Sequence, residues 1–162
     1  MHHVTTRSNA EERIFRDAGD YATGITILAG LVADDALVCH AFCFMPTHYH
    51  VFGTFSDVSD VIHQLNRKYA VAYNGRYKRR GHVFDSPFSR TPVENVPYLR
   101  NVVRYIALNP DDPETWPYAS YPGLIGTRPP FSFVDPWPIL EAFGTVEALR
   151  EFVDEERLAP TV

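Results

Sequence analysis

The sequence predicts an α+β domain in which an antiparallel, ferredoxin-like β-sheet is backed by helices, in the order β-α-β-β-α-β-α. Three observations support this class. Apolar residues recur at helical spacing over 58–72 and 95–108, and short β-branched or aromatic runs alternate with turn residues. The chain has 162 residues, of which 45% are hydrophobic and 14% aromatic, and this is enough to bury a core.

The individual elements follow from local patterns. We predict a strand at 2–7, a helix at 17–31, and two strands at 36–44 and 48–53 that form a hairpin. A helix follows that Ser56 caps and Asn74-Gly75 ends. We then predict a broken strand over 82–91 and a helix at 95–108 that stops at Asn109-Pro110. Beyond residue 110 we expect an irregular, proline-rich and aromatic wrap with short helices at 139–143 and 146–152. This organisation predicts a main domain over 1–125 and an extension over 126–162 that packs on the domain or trails it.

The composition of the chain bears on where the protein is located and on the role of its two cysteines. No apolar run approaches the roughly 20 residues of a membrane span, and no basic-then-apolar leader opens the chain. We therefore expect a soluble, cytoplasmic protein without a membrane partner. Cys39 and Cys43 are too few for a disulfide framework or a zinc site, so we expect them to be reduced core residues on one face of a strand.

The net charge of −5 conceals an uneven distribution. Residues 63–104 carry +7, whereas residues 1–62 carry −5 and residues 105–162 carry −7. A basic block between acidic flanks predicts a local site for a polyanion such as nucleic acid. A charged face that is simply solvated is the alternative that composition leaves open.

His48 and His50 lie two residues apart in a predicted strand. Their imidazoles therefore project from one face, and Tyr49 projects from the other. Two imidazoles on one face can chelate a metal ion. The spacing alone equally allows two ordinary histidines on a half-polar strand.

The predicted helix at 95–108 adds a second set of polar side chains. Its apolar stripe should pack on the sheet and consists of Leu99, Val102, Val103 and Ile106, while Arg100 and Arg104 should point towards solvent or phosphate. Tyr105 and Asn109 are four residues apart and share a face beside that stripe, where they could meet the imidazole pair. Alternatively, Tyr105 is a half-buried aromatic and Asn109 is a helix C-cap before Pro110.

In these motifs the chain resembles the HUH single-tyrosine transposases, and within them the REP-associated tyrosine transposases. The resemblance extends over about residues 2–125. Its blocks are HVTTRSN at 3–9, IFRD at 14–17, AFCFMPTHYH at 41–50, LNRKYA at 65–70, YNGR at 73–76, GHVF at 81–84, YL at 98–99, RYIALNP at 104–110 and WPYASY at 116–121. One departure is Thr47, where the family usually has Asn before the first histidine.

The resemblance implies an enzyme that cleaves and transfers single-stranded DNA at hairpin sites through a 5′-phosphotyrosine link, as a transposase or domesticated transposase. Matched residue by residue, Tyr105 would be the nucleophile, with Tyr98 as its competitor. His48, His50 and Asn109 would hold Mg²⁺ or Mn²⁺, although two imidazoles by themselves would also suit zinc.

The partner implied is single-stranded or hairpin DNA, bound by a monomer or a homodimer. The DNA-binding residues would be Arg67, Lys68, Arg76, Lys78, Arg79, Arg80 and Arg104. Tyr73 and Tyr77 could stack on unpaired bases or pack within the protein. A binder of hairpin DNA that cleaves poorly or not at all is the main alternative function, and an unrelated metal-dependent hydrolase is a weaker one.

Overall fold

Helices cover both faces of a four-stranded antiparallel sheet in the computed structural model, which describes residues 1–85 and 87–157. The strands are β1 (His2–Arg7), β2 (Leu37–Met45), β3 (His48–Phe55) and β4 (Ser89–Pro92). The helices are α1 (Ala18–Ala33), α2 (Val58–Tyr77), α3 (Val96–Ala107), α4 (Tyr121–Leu124), α5 (Trp137–Phe143) and α6 (Val146–Arg157). The predicted element order is confirmed. In the described ranges, no helix combines the length and hydrophobicity that a membrane span requires.

The strand order β2-β3-β1-β4 places β3 and β1 at the centre of the sheet. One apolar cluster lies between the sheet and α1 and α2, and another lies between the sheet and α3, α5 and α6. Each central strand therefore contributes alternate side chains to two separate environments. This arrangement lets β3 bury an aromatic on one face and present histidines on the other.

The predicted strand over 82–91 is wrong for its first half. Phe84 forms only an isolated bridge with Ser8, and regular pairing with β1 begins at Ser89. Pro87 lies between the two and has no backbone N–H to donate to a ladder. Val83 is buried, and Phe84 packs edge-on against Tyr49, so the segment contributes side chains to the core instead of a strand to the sheet.

Helix α2 starts and ends later than predicted. Asp57, not Ser56, caps it, since its carboxylate accepts the backbone N–H of Asp60 at 2.8 Å. The helix continues through Gly75 to Tyr77 because tertiary contacts extend beyond the local stop signal. Tyr73 is buried, and the Tyr77 hydroxyl donates to Asp20 at 2.8 Å, so both tyrosines pack within the protein.

A β-bulge at His40 changes the face on which the cysteines lie. Cys39 pairs with Gly53 and Ala41 pairs with Phe52, so one extra residue interrupts the alternation of β2. Cys39 consequently belongs to the cluster under α1 and α2, and Cys43 belongs to the one under α3. Both thiols are free and buried, as expected, but the prediction that they share a face is wrong.

The C-terminal helices cover the outer face of α3. The Arg100 guanidinium donates to the carbonyl of Ala142, and Arg104 lies 4.1 Å from the Phe152 ring centroid and pairs with Glu156 at 2.7 Å. Arg100 and Arg104 lie on the side of α3 away from the sheet, as predicted, but the C-terminal helices and not solvent meet much of both side chains. The predicted contact of Arg104 with phosphate stays a prediction. Periodicity identified the inner face of α3 correctly but carried no information on whether another helix covers the opposite face.

We expect Leu149→Ala in α6 to lower the free energy of unfolding by about 2–5 kcal/mol, because Leu149 is fully buried in the cluster that contains α3. Urea denaturation of the full chain measures this change. Glu151→Ala, on the exposed side of the same helix, should change stability by about 0.5 kcal/mol or less. Equal losses in the two variants would show that α6 does not share the core of the sheet.

Candidate active site

Strand β3 presents His48 and His50 on the sheet face that α3 covers. Tyr49, between them, is buried on the opposite face, where its hydroxyl donates to Asn66 Oδ1 at 2.7 Å. The alternation follows from the two-residue period of a strand, and the buried Tyr49 makes a one-residue slip costly. The predicted common face of the two histidines is confirmed.

Asn109 connects this strand to the end of α3. Its Oδ1 lies 3.0 Å from Nε2 of His48 and 3.1 Å from Nε2 of His50. Its Nδ2 donates to the backbone carbonyl of Tyr105 at 2.7 Å, which orients the amide with its oxygen towards both imidazoles. The prediction that both imidazoles face Asn109 is confirmed.

Helix α3 exposes Tyr105 beside this contact. Asn95 caps the helix by accepting the N–H of Tyr98 at 2.9 Å, and the predicted apolar stripe is buried against the sheet. The Tyr105 ring stands edge-on to His50, with centroids 5.3 Å apart, and 52% of the residue remains exposed. The phenol therefore lies at the mouth of the site, where a large substrate can reach it.

Sequence reasoning missed two residues that complete the cluster, His3 and Thr5 of β1. The Thr5 hydroxyl lies 2.9 Å from His50 Nδ1, and His3 Nε2 lies 3.0 Å from the same nitrogen. The available signal was that His3 and Thr5 alternate in a predicted strand and so share a face. That alternation does not indicate which residues His3 and Thr5 contact, because the sequence of β1 does not specify which strand lies beside it in the sheet.

Burial keeps the imidazoles of the cluster neutral. It lowers the pKa of His50 to about 2 and that of His3 to about 4, and it also lowers the pKa of His48, which the hydrogen bond to Asn109 partly opposes. A neutral imidazole has a free lone pair, which is the form that binds a metal ion. At neutral pH the imidazoles are therefore in the form that could serve as metal ligands.

The residue types present are ones that can hold a divalent metal ion, since neutral imidazole nitrogens and carboxamide oxygens are both known ligand atoms. The two Nε2 atoms and Asn109 Oδ1 converge at hydrogen-bond distances. No group of three or more His, Cys, Asp or Glu side chains suited to a metal occurs in the described part of the chain, so this set depends on a carboxamide.

An open cleft of about 460 Å³ adjoins the cluster. Its lining consists of Asn101, Arg104, Tyr105, Leu108, Asn109 and Glu156. The phenol and the carboxamide thus open to one solvent-filled space.

The basic residues of the predicted polyanion site fall into two groups. Arg76 pairs with Asp17 and Asp20 at 2.7 and 2.6 Å, and Arg79 pairs with Glu12 at 2.9 Å. Arg104 pairs with Glu156, as described above. In the described ranges, no ion pair involves the exposed Arg67, Lys68, Lys78 or Arg80.

Comparison with known proteins gives a family and a fold. The family model described as "Transposase IS200 like" matches residues 1–109. Among solved structures, the chain is similar to a REP-associated tyrosine transposase bound to a REP hairpin, with a TM-score of 0.66, 16% identity and 82% of each chain covered. At this identity the second match concerns the fold. No curated protein sequence matches the chain.

The free energy of unfolding should decrease as the pH is lowered below about 6.5. At these pH values His3 and His50 take up protons in the unfolded chain, whereas their lowered pKa keeps them unprotonated in the folded protein. Each of these two imidazoles lowers the free energy of unfolding by up to about 1.4 kcal/mol per pH unit, until the pH reaches the pKa of that imidazole in the folded protein. Urea denaturation at pH 7.5, 6.0 and 5.0 measures the slope. A His3→Gln/His50→Gln variant should show a shallower slope, and identical slopes would contradict the assignment of neutral buried imidazoles.

Proposed function

This chain belongs to the family of IS200-like transposases, and we propose that it cleaves and transfers single-stranded DNA at hairpin sites through a phosphotyrosine intermediate. Tyr105 is the proposed nucleophile, and His48, His50 and Asn109 are the proposed ligands of a divalent metal, Mg²⁺ or Mn²⁺. The observation that carries the proposal is the meeting of both Nε2 atoms at Asn109 Oδ1, one helical turn from Tyr105.

The three ligands and the nucleophile act from two rigid elements. When bound, the metal ion supplies a Lewis acid that polarises the scissile phosphate. Asn109 contributes a hard oxygen, which suits Mg²⁺ or Mn²⁺ better than an all-nitrogen set would. Because Asn109 and Tyr105 belong to the same helix end, a phosphate held at the ligands lies within one turn of the phenol.

The chemistry assigned to Tyr105 is an in-line displacement at phosphorus. A phenol has an unperturbed pKa of about 10 and is a weak nucleophile at neutral pH, so it depends on an activated phosphate. Its oxygen forms the new bond to phosphorus, the phenolic proton leaves to solvent, and the bond from phosphorus to the 3′ oxygen breaks. The departing oxygen takes up a proton and becomes a free 3′-OH. A 3′-OH can reverse the step, so no nucleoside triphosphate is consumed.

We propose that exposed basic residues of α2 and the loop after it contact the DNA phosphates. Arg67, Lys68, Lys78 and Arg80 support this, because their charges are not matched by carboxylates in the described ranges. Arg76, Arg79 and Arg104 would have to exchange a carboxylate for a phosphate before taking part. Hairpin DNA is the proposed partner because the similar solved transposase holds a REP hairpin.

Tyr105→Phe should abolish the covalent protein–DNA adduct without weakening DNA binding, because it removes only the attacking oxygen and keeps the ring against His50. The measurement is a denaturing gel of the protein incubated with Mn²⁺ and an end-labelled single-stranded hairpin. Tyr98→Phe is the matched control on the same helix and should form the adduct as wild type does. An adduct in Tyr105→Phe would assign the nucleophile elsewhere. If the wild-type protein binds the hairpin without forming an adduct, the alternative function, a hairpin-DNA binder that cleaves poorly or not at all, is favoured.

Removing two of the basic side chains that form no ion pair in the described ranges should weaken the binding of hairpin DNA and reduce the dependence of that binding on salt. For Arg67→Gln/Lys68→Gln, we expect the slope of log K against log salt to fall in magnitude by about 1.4 to 1.8, since each phosphate contact contributes about 0.7 on single-stranded and about 0.9 on duplex DNA. Fluorescence anisotropy with the labelled hairpin measures this slope. Arg128→Gln/Arg150→Gln removes the same charge outside α2 and the loop after it and should leave the slope unchanged. Equal slopes in all three proteins would exclude this surface.

A further inference from the structure

We infer that His3 and Thr5 are positioning residues that pair with Nδ1 of His50 in either tautomer and so allow its Nε2 lone pair to serve a metal ion. The inference rests on the proposed metal site and names the residues that support one of its ligands. Neither residue is among the proposed ligands. Both act through Nδ1, the second ring nitrogen of His50.

The contacts that support this come from the centre of the sheet. Thr5 pairs directly with His50 in the antiparallel register of β1 and β3. Its hydroxyl lies 2.9 Å from His50 Nδ1, and His3 Nε2 lies 3.0 Å from the same atom. The planes of the His3 and His50 rings are 19° from parallel, and their centroids are 5.2 Å apart, so the two rings meet edge to edge through these nitrogens. The imidazole of His50 is therefore held by a hydroxyl and a ring nitrogen.

A neutral imidazole has one N–H, and the metal decides which nitrogen carries it. Without metal, an N–H on His50 Nε2 can donate to Asn109 Oδ1 at 3.1 Å, and Nδ1 then accepts a hydrogen bond. With Nε2 bound to metal, the proton must lie on Nδ1, which then needs an acceptor. His50 is completely buried, so an Nδ1–H without a partner would carry a large desolvation penalty.

Thr5 and His3 satisfy both states. A hydroxyl can donate to Nδ1 in one state and accept from it in the other, and a neutral imidazole can do the same by changing its own tautomer. Nδ1 of His50 therefore has a hydrogen-bond partner in either tautomer. Metal-binding histidines usually donate the second N–H to a carboxylate, a carbonyl or water. Here the neighbouring strand supplies a threonine and a histidine for that purpose.

The affinity test uses Mn²⁺ alone, titrated into the full chain and followed by the electron paramagnetic resonance of the free ion. Thr5→Val and His3→Phe should each weaken binding, and the double variant should weaken it by about 10- to 100-fold. Thr5→Ser restores the hydroxyl and should bind as wild type does. Thr6→Val is the matched control, because Thr6 is buried in the same strand and belongs to the opposite face.

The tautomer test uses the same variants labelled with ¹⁵N in histidine. Long-range proton–nitrogen spectra of wild type should show the Nε2–H form of His50 without metal and the Nδ1–H form with saturating Mg²⁺. A residue that only supports the fold would not change this assignment. In the double variant the Nδ1–H form should be lost or reduced at equal metal concentration.

The outcomes separate this inference from the proposed function. If His48→Ala abolishes Mn²⁺ binding while Thr5→Val and His3→Phe bind as wild type does, the metal site stands and the role of β1 is overturned. Equal weakening by Thr6→Val would also overturn it, since the effect would then come from general destabilisation of β1. A wild type that binds no Mn²⁺, or a His48→Ala variant that binds normally, would remove the proposed metal site and this inference with it.

Discussion

The candidate site depends on one oxygen atom, Oδ1 of Asn109, which lies within hydrogen-bond distance of two imidazoles from a different element. For that contact to exist, the end of α3 must dock on the middle of the sheet with little freedom. The apolar stripe of α3 holds it from the sheet side, and α5 and α6 hold it from the outside. The C-terminal helices are consequently part of what determines the geometry around Tyr105, although they contribute no proposed ligand.

The two faces of the sheet carry different physical tasks. On one face, imidazoles that burial keeps neutral and a carboxamide form the candidate site, which has no formal charge of its own. On the other, α2 carries the basic residues, and carboxylates near α1 neutralise two of them, Arg76 and Arg79. Part of the basic block thus stabilises the packing of α2 against α1. The remaining exposed charges are the ones available to a polyanion.

Local patterns were sufficient where neighbouring residues decide the outcome. The common face of His48 and His50, the buried stripe of α3 and the pairing of Tyr105 with Asn109 all follow from the periods of a strand or a helix. The same patterns failed where distant contacts compete with local signals. Helix α2 passes Gly75 because Tyr77 beyond it finds a partner in Asp20, and Val83 and Phe84 pack against the core instead of joining the sheet.

The sequence by itself therefore determined the order of the elements, the inner faces of β3 and α3, and the residues that could form a metal-assisted tyrosine site. Only the tertiary structure decided that β1 lies beside β3, in the register that places Thr5 opposite His50. It also decided that α5 and α6 cover Arg100 and Arg104. The physical reason is that strand neighbours and helix coverings are set by contacts between residues far apart in the chain. The periodicity of a single segment contains no record of its partner.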